Sequence, residues 1–357
     1  MGSANDLPRV AVVLVNWNSR QDTLECLESV FRLSYPNFSV VVCDNNSGDG
    51  SLESIEAWTR GDMAVVPASA EFEEIFARPR LARSVLCSRY TRSQAEQLMP
   101  VGQMPDLILL ETGGNLGFAG GNNVGIRFAI KHLRADYLWL LNTDTIVHKE
   151  ALSALIERAS RSTRVGMVGS SLIYYWTPGL VQALGGARLD RRTTRMGHIG
   201  DGGAVSQIPQ DGASVESELA YVLGASMLVS RQFVEEVGPM NEGYFLYYEE
   251  IDWVCRASGR FSLGYAPDSL VFHKVGGSSR RVASTTSQRY LWRNRIKFVC
   301  RYMPNSLNGT LITMAGDMVR AFLKGQFSLS LVIAGALIDA RRLCDEGRRM
   351  QASQKFL

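Results

Sequence analysis

Three apolar runs in this chain break off abruptly into asparagine and aspartate: VAVVLVNWN (residues 10–18), FSVVVCDNN (residues 38–46) and YLWLLNTD (residues 137–144). A near-continuous β-branched run leaves no face for water. It therefore marks a strand covered on both sides, as in a parallel sheet with helices above and below. Between the first two runs, Leu24, Leu27, Val30 and Phe31 recur at helical spacing behind an Asn18-Ser19 N-cap, until Tyr35-Pro36 stops the helix. Two strands joined by a helix form a right-handed βαβ unit, so Asn16-Trp17-Asn18 and Asp44-Asn45-Asn46 must lie side by side at the carboxyl edge of the sheet. Open α/β sheets bind ligands at that edge.

The third run ends in Asn142-Thr143-Asp144-Thr145, an oxygen-rich turn. Its hard oxygens suit Mg²⁺ or Mn²⁺, cations that keep several waters and bridge to substrate phosphates. The same turn would serve equally as an Asx turn that ends a strand.

With 357 residues, 46% hydrophobic and 20% charged, the chain can bury a large core, as one large domain with an appendage or as two domains. A net charge of +3 is too mild to argue for nucleic acid. Six cysteines lie far apart with no C-x-x-C pair, so neither a zinc site nor a disulfide framework is signalled, and a reducing cytoplasm is expected. No secretory leader and no spanning helix is expected either.

Further along, residues 60–105 scatter four prolines among Glu and Arg and read as an excursion from the sheet. A strand at residues 107–110 leads into GGNLGFAGGNNVGIRFAI, where Asn115, Gly117, Gly120, Gly121, Asn122, Asn123 and Gly125 crowd a loop and helix start. Glycine permits close backbone approach and a helix N-terminus favours phosphate, although a tight turn would need the same glycines. Neither the Rossmann nor the P-loop pattern is matched. A helix is expected over 149–160, strands over 165–168 and 221–230, and a loop-rich stretch between them. That stretch carries a basic cluster, Arg188, Arg191, Arg192 and Arg195, suited to a solvated face or to an anionic acceptor.

YFLYYEEIDWVCR (residues 244–256) sets Glu249, Glu250 and Asp252 behind an aromatic wall, where a partly desolvated carboxylate can be tuned as a general base. Acids in a first helical turn also favour the macrodipole. His273 follows a strand at residues 269–272, and a single imidazole there is either structural or a metal ligand.

In this order VNWN, CDNNSGDGS, GGNLGFAGGNN, LLNTDT, YFLYYEEIDWVCR and FHKVGGSS resemble the inverting glycosyltransferases of family 2, most closely their rhamnosyltransferase-like branch, over roughly residues 8–280. The resemblance implies an α/β GT-A fold: a Rossmann-like, mostly parallel central sheet with flanking helices over residues 1–285, followed by a helical C-terminal appendage. It implies a nucleotide-sugar donor, dTDP- or UDP-linked, and Mg²⁺ or Mn²⁺. By that analogy Asn16, Asn18 and Asp44 hold the nucleobase and ribose, and Asn115, Gly117 and Asn123 line the donor pocket. Asn142 and Asp144 hold the metal on the diphosphate, Glu250 is the base, and His273 is a further metal or diphosphate contact. The family's metal motif usually reads Asp-x-Asp and its base is often Asp, so Asp144 is the surer ligand and Glu249 and Asp252 stay open beside Glu250. The acceptor is expected to be a hydroxyl of a cell-surface glycan or a lipid-linked sugar, rhamnose from dTDP-rhamnose being the plausible transfer. The same fold with a UDP-hexose donor, or a non-catalytic nucleotide-sugar-binding subunit, are the alternatives.

Over residues 286–357, Arg289, Arg293, Lys297 and Arg301 recur every fourth residue as a cationic helical stripe. Such a helix suits an anionic membrane surface, here the inner face of the plasma membrane, or packing on the catalytic domain or on a second copy in a homo-oligomer.

Overall fold

Val10–Asn16 (β1) and Phe38–Asp44 (β2) pair in parallel along their whole length, from Val10↔Phe38 to Asn16↔Asp44. A computed structural model describes residues 7–77, 85–97, 105–275 and 285–350. The remaining strands are Cys87–Thr91 (β3), Leu107–Glu111 (β4), Tyr137–Leu141 (β5), Thr145–Val147 (β6), Val165–Tyr174 (β7), Val181–Leu184 (β8), Gly186–Leu189 (β9), Met196–His198 (β10), Tyr221–Val222 (β11), Ser226–Ser230 (β12) and Ser262–His273 (β13). The main sheet has ten strands in the order β3-β4-β2-β1-β5-β12-β7-β13-β6, with β8 paired to β7, and β10-β9-β11 form a small second sheet. Strands β12, β6 and β8 run antiparallel to their neighbours, and the other seven run in one direction.

The alternation along β1 shows why its run has no polar position. Val10, Val12 and Leu14 join a cluster with Leu24, Leu27, Trp58 and Leu152 on one face of the sheet. Ala11 and Val13 join Ile126, Ala129 and Leu138 on the other. Helix Gly117–Phe128 lies close against the sheet because its glycines face it: a Cβ on Gly125 would sit 2.5 Å from Val13 and one on Gly121 2.7 Å from Val15.

Several expectations are revised. The excursion over 60–105 returns to the sheet, where β3 pairs in parallel with β4 as an edge strand. The strand expected over 221–230 is broken at 223–225, and that over 165–168 runs on to Tyr174. Ser19 stands at the N-cap but gives no side-chain cap; Arg20 N–H is instead accepted by Asp49 at 2.9 Å.

Beyond residues 276–284, which lie outside the described residues, helices Thr285–Tyr302, Leu307–Leu323, Phe327–Ile338 and Ala340–Arg349 follow. The first docks on the sheet domain through Phe298 and Val299 against Tyr244, Tyr248 and Ile251. A disulfide joins Cys300 to Cys344, a pairing hidden by their separation of 44 residues. The cationic stripe is not a free face: Arg293 pairs with Asp339 at 2.9 Å, Lys297 with Glu346 at 2.9 Å, and Arg301 lies 3.8 Å from Asp252. Two members of the other basic cluster are paired as well, Arg188 with Glu218 and Arg195 with Asp317. Among the described residues no helix is long and apolar enough to cross a membrane.

Candidate active site at the carboxyl edge

Because β1, β2, β5 and β13 point the same way, Asn16, Asp44, Asn142 and His273 all come to one edge. The βαβ unit brings the first two together. Asn16 Nδ2–H donates to Asp44 Oδ1 at 2.7 Å and to Ser47 Oγ at 3.0 Å, while Asn16 Oδ1 accepts from Thr23 at 2.8 Å. Asp44 Oδ2 accepts the Ser47 N–H at 2.9 Å, and Asn18 Oδ1 accepts the Gly48 N–H at 2.8 Å. Beside them Asp44, Ser47, Arg89 and Glu111 line a small cavity of about 150 Å³.

In the glycine segment Asn115 Oδ1 accepts the Gly117 N–H at 3.0 Å, and Gly117 takes a φ of 69°. A Cβ there would sit 2.3 Å from the carbonyl oxygen of Phe245, so this glycine is required for close approach to a neighbouring loop. Asn123 does not line a pocket. It is fully buried, donating to Met240 O and Glu242 Oε1 at 2.9 Å each and accepting the Met240 N–H at 3.0 Å, so it fixes the segment that precedes the acidic motif.

A second cavity, about 340 Å³, gathers Asn142, His273 and Glu250 with Gln182, Tyr247 and Tyr248. Asp144 Oδ1 stands 3.2 Å from His273 Nε2, and His273 Nδ1 lies 2.9 Å from Gln182 Oε1. His273 thus stands between the Asp144 carboxylate and the Gln182 amide oxygen, which orient its ring from both nitrogens. Behind this pair, buried Lys274 binds Asp22 at 2.6 Å and also Glu25, while its backbone N–H donates to Asp144 O at 2.9 Å.

The three acids of helix Glu249–Ala257 separate cleanly. Asp252 is fully buried and engaged, accepting from Arg256 at 2.9 Å and from Tyr302 at 2.8 Å, so it ties the helix to its surroundings. Glu249 is buried with one oxygen lacking a hydrogen-bond partner; burial, then the neighbouring Glu250 charge, push its carboxyl well above the ordinary range. Glu250 alone lines the cavity. It accepts the Gly224 N–H at 3.2 Å, and burial raises its carboxyl as well.

The match to known families follows this layout. The model of glycosyl transferase family 2 matches residues 11–67 and 87–201. The chain contains a family 2 glycosyltransferase domain. Its mostly parallel sheet with flanking helices is the GT-A type fold. The match takes in Asn16, Asn18, Asp44, Asn115, Gly117, Asn123, Asn142 and Asp144, and its gap at 68–86 falls inside the excursion. The low-salt glycan biosynthesis hexosyltransferase Agl10 of Haloferax volcanii is 27% identical over 152 residues, which is 43% of this chain and 46% of that protein. Thus the match spans about half the length of this relative. A mannosyltransferase from Pyrobaculum calidifontis, solved with GDP-Man and Mn²⁺, aligns over 99% of this chain and 86% of its own at 14% identity, with a TM-score of 0.49. TarS of S. aureus aligns over 96% of this chain and 54% of its own at 13% identity, with a TM-score of 0.46.

Among the described residues of the family 2 chain, no three His, Cys, Asp or Glu side chains form a ready-made cation site. The donor set that is present, Asp144 with His273 and with Asn142 on the same cavity wall, fits a cation that takes its remaining ligands from diphosphate and water. Sequence reading missed Gln182 and Lys274. The signal for Gln182 was an amide inside the apolar run VQAL; for Lys274 it was a cation at the end of a buried strand.

Proposed function

We propose that the protein is a metal-dependent inverting glycosyltransferase, moving a sugar from a nucleoside diphosphate donor to a hydroxyl of a glycan or lipid-linked acceptor. The observation that carries this reading is one cavity holding the Glu250 carboxylate together with Asn142 and His273, whose ring faces Asp144. Glu250 accepts the proton of the acceptor hydroxyl as it attacks the anomeric carbon. Asp144 and His273 would hold the cation, with Asn142 beside them, and a bound cation would offset charge on the departing diphosphate. Asp44 and its neighbours shape the 150 Å³ cavity suited to the nucleoside end of the donor. A direct displacement by the acceptor needs no enzyme nucleophile, which leaves the Glu250 carboxylate to serve as the base.

Rhamnose from dTDP-rhamnose is the transfer suggested by the motif order. A hexosyl donor is the second reading, favoured by the hexosyltransferase relative. An acceptor carried on lipid is supported by the outward apolar residues Ile312, Leu323, Phe327, Leu331 and Ile338 of the C-terminal helices, all more than half exposed. A thermal-shift screen across dTDP-, UDP- and GDP-sugars with Mg²⁺ or Mn²⁺ tests the donor: the true donor raises the melting temperature only with the metal. Product anomeric configuration by NMR tests inversion, and a retained configuration would overturn it.

A further inference from the structure

The loop that delivers Glu250 is bent against the preference of its own residues. Phe245, Tyr247 and Tyr248 have φ of 55°, 66° and 78°, a left-handed backbone that bulky side chains avoid. Such conformations persist only where the surroundings over-determine them, and they cluster at functional sites.

The restraint comes from beyond the family 2 match. Asn294, buried in helix Thr285–Tyr302, sets its Nδ2 2.8 Å from Tyr244 O, 2.9 Å from Leu246 O and 3.1 Å from Tyr247 O. The positive-φ residues turn these carbonyls toward one point, where a primary amide offers two protons shared among them and no charge. One helical turn earlier Tyr290 stacks on Phe245, with centroids 4.8 Å apart and planes at 20°. From the opposite side Phe118 N–H donates to Phe245 O at 2.7 Å, beside Gly117, which has no room for a Cβ. The loop is thus gripped between the glycine segment and the C-terminal helix, and the residues that leave it are Glu249 and Glu250.

We propose that Asn294 is a positioning residue for sugar transfer: by holding the carbonyls of Tyr244, Leu246 and Tyr247 it fixes where helix Glu249–Ala257 begins, and so where the Glu250 carboxylate stands in the cavity. The C-terminal helix then belongs to the catalytic unit. The inference rests on the reading of Glu250 as the base.

The test compares Asn294→Leu, which removes both donors at similar size, and Asn294→Ser, which keeps one, with Glu250→Gln, all in the full chain. Asn294→Leu is expected to lower kcat by about 10²-fold, the scale of a misplacement near 1 Å. Asn294→Ser should fall between it and the parent, with nucleoside diphosphate affinity unchanged in both. Amide exchange over 244–250 should quicken in both variants while β1 and β2 stay protected. Parent-like kcat in Asn294→Leu overturns the proposal, and so does a parallel loss of kcat, nucleotide binding and melting temperature, which would mark Asn294 as generally structural. If Asn294→Leu does not fold, Asn294→Ser and the unmodified protein decide: amides 244–248 exchanging in the parent as fast as an open loop overturn it. A fully active Glu250→Gln beside a loosened loop in Asn294→Leu would remove the base assignment and leave the clamp supported.

Discussion

At the ends of β1 and β2, Asn16 bonds Asp44 and Thr23, Asp44 accepts the Ser47 N–H and Asn18 accepts the Gly48 N–H, so these polar atoms are largely taken up internally. Across the same edge the acids point the other way: Glu249 has an oxygen with no hydrogen-bond partner, and Glu250 meets a backbone N–H at 3.2 Å. The Glu249 and Glu250 carboxyls, in the first turn of a helix, are pushed up from their ordinary range by burial. Satisfied polar groups build a rigid seat, whereas under-satisfied ones retain the capacity to take a proton or a ligand. On the reading proposed above, the first cluster is the scaffold and the second the place of the chemistry.

The most severe break in this comparison is removal of the carboxylate facing His273. Asp144→Ala should fold yet lose about 10³-fold or more in transfer rate, several kcal/mol of charge stabilisation. Metal-dependent nucleotide binding by calorimetry should vanish with it; unchanged binding in the presence of EDTA would count against the metal reading. On the scaffold side, Asp44→Ala leaves the Ser47 N–H without its acceptor and the Asn16 amide with only Ser47 Oγ. It should cost about 1–3 kcal/mol in denaturant unfolding and weaken nucleoside diphosphate binding. Stability and affinity both equal to the parent would show the seat to be ornamental.

How much of this contrast can be read in the residues alone depends on the range of the interactions. The strand ends were legible, because an uninterrupted apolar run followed by Asn or Asp is a local signal. So was the union of Asn16 with Asp44, which the handedness of one βαβ unit dictates. The surroundings of Asn123 and Asp252 were not legible, because an amide or a carboxylate is judged by its partners. Those partners are Met240 and Tyr302, 117 and 50 residues away in sequence. The partners of the basic stripe were hidden for the same reason: helical spacing placed Arg293 and Lys297 on one face, but their acids Asp339 and Glu346 belong to the helix Ala340–Arg349 and its N-cap. Asn294 carried no local signal beyond being an amide within a cationic helix.

Smaller effects sharpen the contrast. Glu249 has a carboxyl raised in the fold by burial and by Glu250, so the folded chain holds its proton more tightly than the unfolded chain. Its contribution to stability is therefore full at acid pH below the ordinary value near 4.5 and is lost as pH rises through the folded value. Glu249→Gln should melt above the parent at pH 7 to 8, the difference disappearing below about pH 4. A variant that melts lower at neutral pH would show that the Glu249 charge is stabilised by the fold. Smallest of all, Arg293→Ala removes a half-exposed pair with Asp339 and should change stability by no more than about 1 kcal/mol. Sedimentation with anionic liposomes should be unaffected, since that cation is already engaged; a lost liposome affinity would restore the stripe as a binding face.

The central claim, that Glu250 is the base in a cavity it shares with Asn142 and His273, is tested most directly by the pH dependence of kcat in the parent, Glu250→Gln and Glu249→Gln. Burial raises the Glu250 carboxyl, so the parent rate should fall as pH drops through a value above the ordinary glutamate range, where the base becomes protonated. Glu250→Gln should lose that acid limb and at least about 10²-fold in kcat at neutral pH while still binding donor, and Glu249→Gln should keep the limb. Parent-like turnover in Glu250→Gln, with its acid limb intact, would contradict the account.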